Sequence, residues 1–350
     1  MKYSILNLVP IKTEDGYQKA YQEMVDLAQK AEEWGYTRYW IAEHHNAKIF
    51  ASSATQLLIE KTLDKTKTIQ VGSGGVMLPN HTPYIVSEQY GMLERMYPGR
   101  VNLGLGRAPG TDIKTAQAIR KENFHAQNNF ENDIEELQGY FDDTLNVHAY
   151  PAAGADIPIY ILGSSTDSAH LAAKLGLPYA FASHFAPAQL IKAVKIYQDE
   201  FKPSRFLDKP YTIVGINAYL ADTHEEAKYL STTQTQQMLN IVTGQGEKLL
   251  PKPVESEDQI WHDYIKARYV PNFGPVAFES EDIIGREKAI VKEMGALTVI
   301  GTKEEVKEQI KRLSLKVHFD ELMVNTYIYD EKKWLKSYKM FSEVINDLNK

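Results

Sequence analysis

Residues 69–105 read IQVGSGGVMLPNHTPYIVSEQYGMLERMYPGRVNLGL, and they spell out one complete strand–helix–strand unit. A β-branched run, Ile69 to Ser73, leads to Thr82 and Pro83, an N-cap followed by proline at the first helical position. An amphipathic stretch to Tyr97 and a second apolar run, Val101 to Leu105, complete the unit. Proline is tolerated at a helix start because the N–H it lacks has no partner there. Two strands joined through a helix in this way pair in parallel.

The same alternation extends in both directions. Further runs lie near Tyr3 to Val9, Tyr39 to Ala42, Ile159 to Leu162, Tyr179 to Ala182, Ile213 to Leu220 and Glu321 to Asn325, which makes eight with the two above. Helical patterns cover Tyr17 to Trp34, Ser53 to Asp64, Asn128 to Phe141, Ser165 to Leu175, Gln189 to Glu200 and Lys303 to Leu313; Ser53 with Gln56 and Thr302 with Glu305 read as capping boxes. Eight strands alternating with helices give an α/β fold, a (β/α)8 TIM barrel. The spacing breaks once: about 100 residues separate Leu220 from Glu321, more than one helical crossover needs. Residues 1–350 therefore read as a single barrel domain with a helical and loop insertion between strands 7 and 8, at about 221–300. It contains a helical pattern from His224 to Thr243, a Gly/Pro-punctuated segment from Gly244 to Gly285, and a further helix before Gly301. The part from Gly244 to Pro253 suits a mobile lid, and a static decoration of the barrel side fits the same pattern.

Composition narrows the function. A formal net charge of −7 and no basic run argue against nucleic acid, whose phosphates are gripped by clustered Lys and Arg. With no cysteine, disulfides, thiolate nucleophiles and cysteine metal sites are excluded. The run from Tyr3 to Val9 ends at Pro10 and meets Lys12, Glu14 and Asp15 too soon for a secretory segment, and no stretch is apolar enough to span a membrane. A soluble, cytoplasmic protein is expected.

In barrel enzymes the chemistry sits where strands end at their carboxyl termini, and four such places carry candidates. After the second strand stands Glu43-His44-His45. Successive side chains point to opposite faces, so one histidine at most aims into the barrel mouth, where it could move protons. The alternatives are histidines that merely satisfy buried carbonyls, or a zinc pair. The zinc reading is weakened because Asn7 and Val9 occupy the first strand end in place of His-x-His, and because His-Glu-x-x-His is absent. After the third strand, Gly72-Ser73-Gly74-Gly75 allows close backbone approach to a flat ligand, or a plain tight turn. After the fourth, Gly104-Leu105-Gly106-Arg107 fixes a guanidinium suited either to a phosphate or to an ion pair with a carboxylate such as Asp112. After the fifth, Gly163-Ser164-Ser165-Thr166-Asp167-Ser168 puts hydroxyls at a helix start, where free N–H groups and the helix dipole favour an anion, though simple N-capping accounts for part of it.

Taken in order, Trp40-Ile41-Ala42-Glu43-His44-His45, Gly72 to Pro79, Tyr97-Pro98-Gly99-Arg100 with Gly104 to Arg107, and Gly301-Thr302-Lys303-Glu304-Glu305-Val306 resemble the bacterial-luciferase-like family of flavin-dependent monooxygenases over nearly the whole chain. The resemblance implies reduced FMN supplied by a separate flavin reductase, dioxygen and a small organic substrate, an aldehyde among the candidates, as well as a homodimer. It implies that His44 is catalytic, that Gly74 and Gly75 back the flavin ring at a non-proline cis peptide, and that Arg107 with Gly163, Ser164 and Ser168 holds the phosphate. The glycine pair and the phosphate loop place the sequence nearer the non-luminous, alkanal-monooxygenase-like branch than the light-emitting members. Three alternatives stay open: a deazaflavin-dependent oxidoreductase, a non-catalytic flavin-binding protein and a metal-dependent barrel hydrolase. No metal is expected for the monooxygenase itself.

Overall fold

The computed structural model describes residues 1–14, 16–120, 129–245, 248–267 and 280–350. Strands β1 (Lys2–Asn7), β2 (Arg38–Ile41), β3 (Gln70–Met77), β4 (Val101–Gly106), β5 (Ile159–Gly163), β6 (Tyr179–Phe181) and β7 (Thr212–Leu220) pair side by side in sequence order, every pair parallel. β8 (Thr298–Gly301) pairs only with the second half of β7, whereas β9 (Glu321–Asn325) lies between β7 and β1 and closes the ring. The eight-stranded barrel therefore runs from β1 to β7 and through β9. β8 is a short extra strand outside it, inside the expected insertion, where the sequence reading had placed no strand.

Helices α1 (Tyr17–Glu33), α2 (Thr55–Lys65), α3 (Pro83–Met96), α4 (Ile113–Ile119), α5 (Phe130–Phe141), α6 (Thr166–Leu175) and α7 (Leu190–Glu200) follow the strands in turn. The expected start of the fifth helix at Asn128 lies outside the described residues. α8 (His224–Val242), α9 (Glu257–Ala267) and α10 (Ser280–Met294) form the insertion, and α11 (Lys303–Ser314) and α12 (Glu331–Leu348) complete the outer layer. Among the described residues no helix is long and apolar enough to cross a membrane. The Thr302–Glu305 capping box forms with both of its hydrogen bonds. The Ser53–Gln56 box does not: α2 begins at Thr55 after Ala54, with no side-chain cap. Thr82 precedes Pro83 with extended backbone but its hydroxyl caps nothing, so the proline alone marks that start.

Two apolar layers result. The larger fills the space between barrel and helices, and the smaller, with Leu6, Trp40, Tyr160, Ile213 and Met323, lies inside the barrel. Below the inner layer, at the amino ends of the strands, sits a polar plug. Arg38, 3% exposed, binds both oxygens of the fully buried Glu321 through Nε and Nη2 at 2.8 and 3.0 Å, and its Nη1 donates to Asn102 at 3.0 Å and to Tyr160. Ser4 and Tyr211 donate to the same carboxylate. Burying two charges is costly and is offset only when the pair and its remaining hydrogen-bonding sites are satisfied; here they are. The insertion has a small core of its own, with Met238, Leu239, Ile260, Trp261 and Val291. Part of the segment expected to act as a lid is docked on the barrel: Leu250 is buried and its N–H donates to the Ile11 carbonyl at 2.9 Å. Residues 246–247 of that segment, and 268–279 of the punctuated stretch beyond, lie outside the described residues.

An Arg38→Met variant leaves Glu321 buried without its cation. It is expected to lose about 3–5 kcal/mol of stability in urea unfolding, and a second change, Glu321→Leu, should recover part of that loss.

Candidate active site

At the carboxyl ends of the strands a cavity of about 380 Å³ opens, within the range of small-molecule sites. Most of the candidates from the sequence meet there: His44, Gly74, Arg107, Gly163, Ser164 and Ser168 line it, with Leu6, Trp40 and Met323 from the inner barrel layer beneath.

The floor depends on missing side chains. The Gly74–Gly75 peptide is cis. A Cβ on Gly74 would stand 2.8 Å from Leu6 Cδ1 and 2.9 Å from Trp40 Cβ, and one on Gly75 would stand 2.8 Å from the Gly104 carbonyl oxygen. Gly75 is thus the β4-facing half of the step and Gly74 the half that reaches the cavity. The pairing of β3 with β4 shifts register between Ser73 and Val76, where the glycines sit.

His44 and His45 diverge as alternation requires. His44 lines the cavity, its ring centroid 4.7 Å from that of Phe50, and its Nδ1 is buried without a partner. Burial pushes its pKa down to about 4, so the imidazole is neutral near pH 7. His45 turns away to Glu43. The fully buried Glu43 accepts from Nε2 of His45 and of His81, both at 2.7 Å on the same oxygen, and its other oxygen accepts the Met77 N–H at 3.2 Å. Burial by itself would raise this carboxyl, but the two imidazole donors bring it down to about 2. Glu43, His45 and His81 are also the types of side chain that hold metal ions. A tetrahedral ion would keep such atoms about 3.3 Å apart; a separation of 2.7 Å is that of hydrogen bonds. The trio ties the loop after β2 to the end of β3 and so orients His44 and Met77 from behind. His81 was not legible as its third member, because only the fold brings it to Glu43.

A second histidine was missed altogether. His184, just after β6, lines the cavity with an unpartnered Nδ1, and burial, with the His44 ring as a lesser cause, lowers its pKa to about 4. Gly215 makes room for it: a Cβ there would lie 2.6 Å from Nδ1. Asn217 donates to the His184 carbonyl at 2.6 Å and accepts from Asn325 at 3.0 Å, which fixes the backbone that carries the ring. The sequence signal was its position, directly behind a strand end.

Arg107, Gly163, Ser164 and Ser168, the residues expected at an anion site, line one side of the cavity. Arg107 faces the Ser164–Ser168 loop, but its ion-pair partner is Asp167, with Nη2 3.3 Å from Oδ2, and not Asp112. Asp112 instead caps α4 by accepting the Thr115 N–H, and also accepts from Asn46. Ser168 is largely buried; its hydroxyl donates to the Ser165 carbonyl at 2.7 Å and meets the Tyr179 hydroxyl at 2.9 Å, so it braces the loop. Ser164 remains on the cavity wall, and the N-cap Ser165 makes no capping bond to the first turn of α6; the Thr166 N–H is taken by Gln189 Oε1 at 3.1 Å, and the N–H groups that follow it in that turn can serve an anion. The roof comes from the insertion: Gln237, Met238 and Ile241 of α8 and Met294 of α10.

The luciferase-like monooxygenase family model matches residues 1–316, and the chain belongs to that family. It is 43% identical to the protein YvbT of Bacillus subtilis (strain 168), over 97% of this chain and 96% of that one. To a luciferase-like monooxygenase of Escherichia coli (strain K12) it is 39% identical, over 99% and 97%. To the N-acetyl-S-alkylcysteine monooxygenase of Bacillus subtilis (strain 168) the identity is 31%, over 93% and 92%. Among solved structures, apo-MsnO8 superposes with a TM-score of 0.82 at 27% identity, covering 99% of this chain and 98% of that one. Two more distant structures share the fold. The oxygenating constituent of 3,6-diketocamphane monooxygenase from Pseudomonas putida, in complex with FMN, has a TM-score of 0.68 at 16% identity, covering 98% and 97%. An F420-dependent secondary alcohol dehydrogenase with an F420-acetone adduct has a TM-score of 0.64 at 14%, covering 99% and 98%. The chain is thus a member of the luciferase-like monooxygenase family, with a fold shared by an F420-dependent enzyme.

The two histidines give a pH test. Their folded pKa values near 4 lie below the free value of about 6.5. Below about pH 6.5 the unfolded chain therefore takes up protons that the folded chain refuses, and stability falls as pH drops toward about 4. The thermal midpoint of the wild type should fall more between pH 7 and pH 5 than that of a His44→Leu/His184→Leu double variant; equal falls would show that the rings are not held neutral.

Proposed function

We propose that the protein is an FMN-dependent monooxygenase that uses reduced FMN from a separate flavin reductase, with dioxygen, to oxidise a small organic substrate. The observation that carries this reading is the convergence on one cavity of a floor without a side chain at Gly74, a guanidinium facing a serine-rich helix start, and a neutral histidine with an unpartnered nitrogen. These residues suit FMN. At Gly74 the floor is bare backbone, which lets a flat ring approach closely, and packing on Leu6 and Trp40 beneath leaves no room for a Cβ there. Arg107, Ser164 and the first turn of α6, entered through Gly163, offer donors to a phosphate, while Ser168 keeps that loop in place.

When bound, reduced FMN supplies the activation of dioxygen and the transfer of one oxygen atom. The chain's own residues position, shield and move protons. His44, neutral near pH 7, accepts a proton at Nδ1 or relays one, and His184 faces the same space with the same open atom. Met238, Ile241 and Met294 close the roof with apolar surface and keep water from the reacting atoms. A homodimer is part of the same reading, drawn from the family. An aldehyde carbonyl is one candidate for the group that is oxidised, and a thioether sulfur, as in the substrate named for the Bacillus subtilis relative, is another.

The deazaflavin reading is favoured by the shared fold of the F420 enzyme, and difference absorbance with each cofactor separates the two. Arg107→Ala should weaken FMN binding about tenfold in a fluorescence titration, as expected for loss of a charge-assisted hydrogen bond to phosphate. His44→Ala should leave that titration unchanged and lower turnover by about a hundredfold or more. Unchanged FMN affinity in the first variant removes the phosphate site, and unchanged turnover in the second removes His44 from the chemistry.

A further inference from the structure

One polar group in the roof has no use in the oxygenase reading so far. Gln237 of α8 is 2% exposed, lines the cavity, and carries an Oε1 with no hydrogen-bond partner. Gln234 on the same helix also leaves its Oε1 unpartnered, but it is not in the cavity lining, and it and Gln236 use their amide nitrogens structurally. Gln234 donates to Thr298 Oγ1 at 2.8 Å and Gln236 donates to the Lys252 carbonyl at 2.8 Å, so each ties α8 to another segment of the protein. Gln237 ties nothing. It shares the cavity lining with Met238, Ile241, Met294 and Phe185, and a leucine or methionine in its place would leave no unsatisfied acceptor. Its Nε2 has no partner among the described residues either, so the whole amide is open, and a head that donates to Oε1 and can accept from Nε2, as a carboxamide or an alcohol does, completes it.

The charge of the surroundings narrows that donor further. Among the described lining residues Arg107 is the one with a full charge, and it is held beside Ser164 by Asp167. Nothing near Gln237 in that lining offers a counter-charge to a carboxylate or an ammonium, and burying either one unpaired is strongly unfavourable. An amide oxygen also accepts from a neutral N–H or O–H without drawing a charge into the site.

We propose that the space beneath α8 and α10 is a substrate subsite for a neutral, largely apolar molecule with a hydrogen-bond-donating head, a carboxamide or an alcohol, and that Gln237 is the residue that selects that head. The proposal rests on the oxygenase reading for its location beside the flavin, but the subsite itself is formed by the chain alone.

The test uses four probes with one octyl-type chain: octanamide and 1-octanol, which donate; methyl octanoate, which is neutral and only accepts; and octanoate, which is charged. Binding is measured by calorimetry on the full-length protein, without FMN and saturated with FMN. Octanamide and 1-octanol should bind at least fivefold tighter than methyl octanoate, the value of about one net hydrogen bond, and octanoate should bind weakest. In Gln237→Leu the advantage of the donors should vanish. Gln237→Met, close in length and shape, gives the same readout should the leucine variant fold poorly, and an FMN titration of each variant should match the wild type. Tighter binding of octanoate than of octanamide, a donor preference that survives both substitutions, or no binding of any probe overturns the proposal. A wild type that discriminates among the probes but binds no FMN overturns the oxygenase reading and leaves the subsite standing.

Discussion

Arg38 and Glu321 are 283 positions apart in sequence and meet inside the barrel at 2.8 Å. One opens β2 and the other opens β9, the strand that closes the ring onto β1. Around them Ser4 of β1, Asn102 of β4, Tyr160 of β5 and Tyr211 just before β7 supply the remaining hydrogen bonds. A charged pair in this position is tolerable only if every spoke is present, since a buried charge that loses its partner costs several kcal/mol. The pair and its spokes tie residues of β1, β2, β4, β5 and β9, with Tyr211 just before β7, to one another across the axis.

That plug divides the barrel along its axis. Its polar groups occupy the amino ends, an apolar layer of Leu6, Trp40, Tyr160, Ile213 and Met323 covers it, and the cavity opens above. The layer helps explain the glycines. With Trp40 and Leu6 filling the interior just below the mouth, the backbone of β3 has no room for a side chain at Gly74, and the Gly104 carbonyl of β4 leaves none at Gly75. It also explains the state of the histidines. Rings that sit over an apolar layer and under a methionine-rich roof are desolvated, which favours neutral imidazole. The proton chemistry available at the mouth thus follows from the packing beneath it.

Local patterns were legible in the sequence, and long-range convergence was not. The strand–helix unit at 69–105, the proline start of α3, the Thr302 cap and the strand-end position of His44 are written in neighbouring residues, and the structure contains them. The Ser53 box failed because a Ser-x-x-Gln spacing does not fix where a helix begins, and the chain stays non-helical to Ala54. β8 was overlooked because four residues next to a helix carry too little periodicity to stand out. Arg107 found Asp167 across 60 positions in place of Asp112 close by, and Glu43 found His81 across 38. Gln237 was the least legible. In Thr-Gln-Thr-Gln-Gln it reads as a solvated helix face, and only the fold turns it inward.

The insertion is placed where it can act as a roof because β7 is longer than the barrel requires. Its first half pairs with β9 within the ring, and its second half, Asn217 to Leu220, continues past the rim and pairs with β8. The insertion therefore leaves from the end of β7 and returns along the same strand, so both ends of the excursion are anchored to one rigid element. Gln234 of α8 bonds Thr298 at the start of β8, which closes the loop of contacts between the roof and its anchor. A roof held in this way presents Gln237 and Met294 at fixed positions over the histidines, and a rigid support of that kind is what a selective subsite needs.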